Sequence, residues 1–538
     1  ITNSVARLLV DDNSRISLGN NDSGGDTTNT VFGRLAGANG TMGSNNAFFG
    51  DSVANNTLTA DADNNAGVGY RALHMLTSGA NNTGVGKSAG DAITTGSNNV
   101  AVGMDALGLN VTMSNNVAIG TYAADALTAG TDCVFIGHYA GSSITNAGGG
   151  TLDGAIAIGR EAMLGSASTT SAIGGAIAIG QDAMKSITTG AENIAIGELA
   201  LKTLTTGGQN IALGTKALQE HLTGVRNVAI GAYSMGDTNA GTTSQGSNDN
   251  IFIGHVSGGG TWANAESNGN VGIGSYSMDS ALDGALYNTA VGAYSASAIT
   301  TADNVVAIGN SAAYTLTTAS NNIAIGTNAM KTHLTGERNM AIGTNAMQDT
   351  DAGSNANSSY DNIFIGHASG GGTWGDSDRT RGNVAIGNYT MDAALNDARY
   401  NVAMGMHALG AVTTGDNNIG IGYEALGDMS SGSNQIAIGY GAGKQQTTGS
   451  NNILIGKDAA RIDSSSSNVI IGHQAFSSSN NSSSTSNVMI GFEVGISINN
   501  ANSTDNVIIG KSAGTGGGAE FTENIAIGSN ALNSTAAN

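Results

Sequence analysis

The sequence predicts an all-β fold, a β-solenoid (β-roll) of about 28 turns with mostly 17-residue repeats. Three observations predict it. A motif close to NNIAIGxxALxxLTTGx recurs along nearly the whole chain. Each copy carries an apolar triplet with the period-two alternation of a strand. The composition, with 82 glycines, no proline and 11% charged residues, is too poor in large side chains for thick globular cores. Thin cores stacked in series are therefore expected.

A glycine closes each apolar triplet, and we call it the pivot. Successive pivots are most often 17 residues apart. Glycine at this position suits a bend or a close approach of the backbone. A longer period is superimposed, because the turn of Gly197 recurs at Gly309 with closely matching text around it. Such duplication lengthens a fibre. Representative pivots are Gly103, Gly120, Gly197, Gly214, Gly326 and Gly343.

The repeat also predicts the domain organisation. Residues 1–29 form an N-terminal lead-in segment, and residues 30–538 form a continuous repeat array. Departures from the regular rhythm are mostly insertions, which map to longer turns. These long-turn insertions fall near 138–155, 236–250, 255–270, 348–362 and 367–383.

The alternation within each triplet predicts which side chains face the interior. The flanking residues, such as Ile194 and Ile196, are expected to point into the solenoid, and the middle residue to point the other way. That middle residue is never charged, although a solvent-facing position would normally be polar. We therefore expect a symmetric homotrimer in which the middle residues form the intersubunit face; packing against a second internal sheet is the alternative. The suspected face comprises Ala195, Ala212, Ala229, Ala307, Ala324 and Ala341.

Charge and cysteine usage exclude several classes of function. The net charge of -21 argues against nucleic-acid binding, which needs a basic surface. Apolar runs are only a handful of residues long, so membrane insertion is not expected. Cys133 is the single cysteine and is expected to be a small core residue.

The sequence contains no recognisable catalytic constellation, so we predict that the protein is not an enzyme and uses no cofactor. Four histidines directly follow pivots, and in a trimer equivalent histidines would meet at the axis and could hold a metal ion. Arg, Lys and Glu occupy the same place in other turns, so a solvent-facing position without metal is the preferred interpretation. These histidines are His138, His255, His367 and His473.

The two tryptophans mark candidate receptor-contact loops. Trp262 and Trp374 each lie eight residues after a pivot, in long turns beside insertions. Insertions in solenoids lie on the surface, often on the binding side, and an exposed indole can stack on a sugar. The alternative is that each tryptophan caps its loop against the solenoid.

The NNxAIGxxA unit resembles the left-handed β-roll heads of YadA-type trimeric adhesins and the repetitive shafts of bacteriophage tail fibres. The resemblance covers the turns from Gly33 to Gly528. The YadA unit is shorter than the repeat of this chain, and no stalk or membrane anchor is recognised before Asn538, which favours the tail fibre over the adhesin. The resemblance implies a homotrimer that binds a host cell-surface receptor, for which a glycan is one candidate, and other tail or baseplate proteins.

The predicted function is thus a structural segment of a phage tail fibre or similar virion appendage, located on the virion. It would extend and present a host-attachment surface. A bacterial trimeric surface adhesin, extracellular and held at the cell surface, is the first alternative. A polysaccharide-degrading tailspike is the second, and it would need an acidic pair in a groove.

Overall fold

The computed structural model divides into two units, unit 1 (Ile1–Asn268) and unit 2 (Gly269–Asn538). Each is a parallel β-solenoid, and together they make about 26 turns with roughly 17-residue spacing. The structure describes residues 8–10, 16–18 (backbone only), 28–109, 112–128, 130–145, 152–165, 173–238, 246–263, 265–350, 359–375, 380–461, 465–477, 484–496, 503–515 and 522–533, and these contain no helix.

Unit 1 begins with an antiparallel pair, β1 (Leu8–Val10) and β2 (Ile16–Leu18), inside the predicted lead-in segment. The remainder of residues 1–27 lies outside the described residues. The solenoid strands follow, with a minor pair, β4 and β6, on a second side of the first turns. The strands are β3 (Thr30–Phe32), β4 (Asn39–Gly40), β5 (Ala47–Phe49), β6 (Thr57–Leu58), β7 (Ala66–Val68), β8 (Thr83–Val85), β9 (Val100–Val102), β10 (Val117–Ile119), β11 (Val134–Ile136), β12 (Ile156–Ile158), β13 (Ile177–Ile179), β14 (Ile194–Ile196), β15 (Ile211–Leu213), β16 (Val228–Ile230) and β17 (Ile251–Ile253).

Unit 2 repeats this plan, with one strand of three residues in every turn. The predicted insertions near 138–155, 236–250, 255–270, 348–362 and 367–383 each include residues that lie outside the described ranges. The strands are β18 (Val271–Ile273), β19 (Thr289–Val291), β20 (Val306–Ile308), β21 (Ile323–Ile325), β22 (Met340–Ile342), β23 (Ile363–Ile365), β24 (Val384–Ile386), β25 (Val402–Met404), β26 (Ile419–Ile421), β27 (Ile436–Ile438), β28 (Ile453–Ile455), β29 (Val469–Ile471), β30 (Val488–Ile490), β31 (Val507–Ile509) and β32 (Ile525–Ile527).

The strands stack in parallel and in register, so each residue lies beside the equivalent residue of the next turn. In β14 and β15, for example, Ile194 pairs with Ile211 and Ala195 pairs with Ala212. Equal spacing along the sequence produces this register, because each coil of the same length returns the chain to the same corner. Backbone hydrogen bonds therefore run from turn to turn.

The interior is the reverse of the predicted one. The middle residue of each triplet points inward and the flanking residues point outward; Ala195 is completely buried, whereas Ile196 is 40% exposed. The expectation that the alanines form an intersubunit face is wrong, since their own chain covers them. The interior of the coil is thin. A small residue in the middle of the strand leaves space there for the side chains three, four and seven positions after the pivot. The alanines concerned are Ala195, Ala212, Ala229, Ala307, Ala324 and Ala341.

A column of buried asparagines runs beside this core, one residue before most of the strands. Asn99 Nδ2 donates to Asn82 Oδ1 (3.0 Å) and to the carbonyl of Met113 (2.8 Å). Its own Oδ1 accepts the backbone N–H of Asn116 (3.0 Å). Every polar group of the amide is thus satisfied by neighbouring turns, which makes a buried polar column tolerable.

The pivots lie against the backbone of the next turn. Gly103 has φ of 134°, a region that side chains disfavour, and a Cβ there would stand 2.5 Å from the carbonyl oxygen of Gly120. Conformation and space therefore both require glycine. The same arrangement holds at Gly120, Gly197, Gly214, Gly326 and Gly343.

Candidate interaction surfaces

The outward side chains of the strands form what we call the apolar strand face. It comprises the first and third residues of the stacked three-residue strands, in each unit separately. None of these residues is charged, and most are Ile or Val. The more exposed members in unit 1 are Phe32, Phe49, Val68, Val85, Ile119, Ile196 and Ile251, and those in unit 2 are Ile273, Ile308, Ile386, Met404, Ile438, Ile525 and Ile527.

This face is large for an exposed apolar surface. Strands about 4.8 Å apart, with outward residues about 7 Å apart, give unit 1 a strip of roughly 60 Å by 10 Å, or about 600 Å². Monomeric proteins seldom expose more than about 300–600 Å² of contiguous apolar surface. Parallel sheets are also usually covered on both faces. The apolar strand face therefore has the properties of a contact surface.

Aromatic rings stack at positions one or two residues after the pivots. In unit 1, Tyr122 and Tyr139 lie 5.0 Å apart with an 8° interplanar angle. In unit 2, Tyr423 and Tyr440 lie 5.0 Å apart at 15°. Stacked rings cover one another's faces, so they present mainly edges and hydroxyls to solvent. Their contribution is chiefly to the cohesion of successive turns.

Two open clefts recur at equivalent places in the repeat. The unit 1 cleft is lined by Gln219, Glu220, Tyr233, Gly236, Asp237 and Gly259. The unit 2 cleft, of about 240 Å³, is lined by Asp392, His407, Gly410, Ala411, Glu424, Gly427, Asp428 and Lys444. We call them glycine clefts, because glycines of consecutive turns form the floor of each.

Charged groups around the unit 2 glycine cleft are arranged in a definite way. Lys444 Nζ lies 2.5 Å from Glu424 Oε2, and this hydrogen bond raises the pKa of Lys444 above its usual value. Burial raises the pKa of the Asp392 carboxyl, and the nearby His407 opposes part of that rise. The cleft consequently offers carboxylates and an ammonium group in a largely polar setting.

The structure corrects the prediction that Trp262 and Trp374 contact a receptor. Their side chains are 0% and 1% exposed, and each indole Nε1 donates to a backbone carbonyl, that of Gly258 or Gly370, at 3.0 Å. Each ring packs against a strand phenylalanine. The indoles cap their turns against the solenoid, because an apolar ring with a satisfied N–H is more stable there than in water.

The four histidines that follow pivots contact aromatic rings beside them, such as Tyr139 next to His138 and Phe492 next to His473. Within the described ranges, no group of three or more His, Cys, Asp or Glu side chains could hold a metal ion. Cys133 is buried, and burial raises the pKa of its thiol to about 11.

The sequence alone did not lead us to expect that two other histidines, His221 and His333, are core residues. Both are fully buried, and burial lowers their pKa to about 4. His333 Nδ1 lies 2.9 Å from Thr350 Oγ1, and Nε2 lies 2.9 Å from the carbonyl oxygen of Gly336. Their position in the repeat indicates that they are buried, because both lie seven residues after a pivot. Leu204 occupies the same position in another turn and is a core residue there.

No family model matches the sequence, and no curated protein matches it either. Over the part of the chain that the structure describes, no helix is long and apolar enough to cross a bilayer.

Proposed function

We propose that the chain is a structural fibre segment of a phage tail fibre or similar virion appendage, which extends and presents a host-attachment surface. The observation that carries this proposal is the in-register stack of nearly identical turns, with an apolar strand face along each unit. On this view the protein acts mechanically, is not an enzyme and needs no cofactor.

The stack suits a load-bearing role. Successive turns are joined by backbone hydrogen bonds, by the buried asparagine column and by stacked rings. Stability in such an array is a sum of many nearest-neighbour interfaces, so local damage is contained and length is gained by adding turns. Nothing in this arrangement requires one special turn, as an active site would.

The apolar strand face supports assembly of three copies. We place the intersubunit seam on the outward Ile and Val residues, such as Ile119 and Ile196, instead of on the alanines. Three such faces around a common axis would remove the apolar strips from water, and burial is worth about 25 cal/mol for each Å². The partners of the assembled fibre would be a host cell-surface receptor and other virion tail or baseplate proteins.

The first test is the mass of the native particle, by sedimentation equilibrium and light scattering. We expect three times the chain mass of 53.3 kDa. Ile196→Asp should shift the particle towards monomer while circular dichroism stays unchanged, because symmetry would bring three carboxylates together in the seam. Thr206→Asp adds the same charge on another exposed side and should leave the trimer intact. A wild-type protein that is monomeric at micromolar concentration would overturn the trimer.

The attachment role needs a separate test. The purified fibre should compete with the virion that carries it for adsorption to the host cell, in proportion to its concentration. A trimer that never reduces adsorption, even at large excess, would leave a fibre without an attachment role.

A further inference from the structure

We propose that the two glycine clefts bind pyranose residues of a neutral or amino-sugar polysaccharide. The biological meaning of this site, a glycan receptor, rests on the proposed function. Its physical basis does not, because each cleft is built entirely within one unit of a single chain.

The floor of each cleft is a gap in a column of side chains. Five residues after the pivot, many turns carry a long side chain that covers the surface of the coil. In the unit 2 cleft two consecutive turns have Gly410 and Gly427 there instead, and the gap is closed by Asp392 on one side and Lys444 on the other. The long side chains at this position elsewhere include Lys185, Lys202, Gln219, Lys331, Gln348 and Arg461.

The unit 1 cleft uses the same repeat positions with different residues. Gly236 and Gly259 form its floor in consecutive turns, and Gln219 closes one end. Tyr233, two residues after its pivot, forms the wall, as His407 does in unit 2. One carboxylate directly follows a floor glycine in each cleft, Asp237 after the first in unit 1 and Asp428 after the second in unit 2. Both clefts therefore have glycine at this repeat position in two consecutive turns.

The chemistry of the lining matches sugar hydroxyls. Carboxylates such as Glu424 accept hydrogen bonds from hydroxyls, and the ammonium group of Lys444 donates to them. The rings of Tyr233 and His407 add apolar surface beside these polar groups. Carboxylates outnumber cations around both clefts, which disfavours phosphorylated, sulfated or uronic acid chains.

A peptide fits less well than a sugar chain. The backbone groups of the floor already bond within the solenoid: the N–H of Ala411 donates to the carbonyl of Gly427 at 2.9 Å, and that of Gly427 donates to Glu424 at 3.1 Å. An extended peptide would therefore find no free sheet edge to join.

The test of this proposal introduces a long side chain into the floor of each glycine cleft. Gly427→Gln and Gly236→Gln introduce the residue that Gln219 and Gln348 already place at this position. An added Cβ would come no closer than 3.3 Å at Gly427 and 3.2 Å at Gly236, so both variants should fold. Lys331→Gln, at the same repeat position outside the clefts, is the matched control.

The probes are cellohexaose, chitohexaose and maltohexaose, measured by calorimetry and saturation-transfer NMR on the full chain. We expect at least one to bind with two sites per chain. Each single glycine variant should reduce this to one site, the double variant should lose binding at least tenfold, and Lys331→Gln should change affinity less than twofold. Heparin should not compete.

Two results would overturn the inference. One is that none of the three hexasaccharides binds at about 10 mM, in the weak range that such open sites reach. The other is that the double glycine variant binds as the wild type does. These results are separate from the mass measurement. A monomer that binds sugar would refute the fibre and leave the clefts standing, and a trimer without sugar binding would do the opposite.

Discussion

Two adjacent turns of unit 2 fill the same core in opposite ways. In one, Ala341 on the strand faces Met347 at the corner four residues after the pivot; in the next, Phe364 faces Gly370. A Cβ at Gly370 would lie 2.5 Å from Phe364 Cδ1, so the phenylalanine requires the glycine. The strand and the corner thus share one volume, and a large side chain enters it from either side.

The same exchange occurs in unit 1. Phe135 is paired with Gly141 and Phe252 with Gly258, and a Cβ at either glycine would meet the phenylalanine ring at 2.3 Å or 2.7 Å. The turn of Phe48 has Ala54 at the corner, and the turn of Ile470 has Phe476 there, so the exchange with glycine holds for Phe135, Phe252 and Phe364 and not for every large strand residue. In the turns of Phe135, Phe252 and Phe364, a large strand side chain is thus accommodated by a glycine at the corner of the same turn.

The largest effect should come from emptying the shared volume. Phe364→Ala removes the ring while Gly370 supplies nothing in its place, and such truncations cost about 3–5 kcal/mol. Hydrogen exchange of β23 and its neighbours should accelerate accordingly, since unfolding of a repeat array is local. The double variant Phe364→Ala/Gly370→Met, which copies the preceding turn, should recover most of the loss. A double variant no better than the single one would disprove the shared volume.

Overfilling the volume shared by strand and corner should destabilise the fold somewhat less than emptying it. Ala324→Phe forces a ring against Met330, and overpacking of this kind costs about 1–3 kcal/mol. Both neighbouring turns carry alanine on the strand, so the test is independent of Phe364. Adding Met330→Gly should restore stability, because the two changes then share one volume. Their coupling energy should exceed the range of about 0.5 kcal/mol within which independent sites add. Additive costs in this cycle would contradict the exchange.

A third comparison concerns the position seven residues after the pivot, held by Leu204 in one turn and by His221 in the next. The folded pKa of His221 is about 4, below its unfolded value of 6.5. Protons therefore favour the unfolded chain: the stability is fully present above pH 6.5 and is lost as the pH falls towards 4. At pH 5 the loss is about 2 kcal/mol for each histidine.

His221→Leu should abolish the pH dependence of stability in its own turn, and His333→Leu should do the same in the turn of His333. The measurement is hydrogen exchange at pH 7 and pH 5 for wild type and both variants. Equal protection of the His221 turn at the two pH values in the wild type would show that the histidine is not buried in its neutral form.

The sequence predicts the fold well because spacing alone determines it. Equal intervals between Gly197, Gly214 and Gly231 bring equivalent residues into register, and period-two alternation marks each strand. The direction of the alternation is not contained in the period. Hydrophobicity suggested that Ile196 is inside, but the interior is too thin for two large residues on every strand. The phenylalanine and glycine pairs were a visible sign that the middle residue faces the corner.

The candidate sites depended on that same choice of direction. Once the alanines are inside, the surface available to a second chain consists of Ile and Val, and Trp262 becomes a core residue that no receptor reaches. The glycine clefts could be found in the sequence only by aligning every turn on its pivot and looking for consecutive glycines five residues later. Their walls required the structure, because adjacent turns contribute separate residues to one cleft.

The smallest effect on the stability of the coil should come from the outward side of the strands. Ile196→Thr changes a side chain that is 40% exposed, keeps the β-branch and should alter local stability by about 0.5 kcal/mol or less. Ala195→Thr, its inward neighbour, should cost about 1–3 kcal/mol, because it adds volume and a hydroxyl to a closed core. Hydrogen exchange of β14 in both variants measures the contrast directly. If the chain associates through the apolar strand face, Ile196→Thr should also weaken that association while the coil itself stays folded. An equal loss of local stability in both variants would instead show that the Ile196 side chain lies inside the coil.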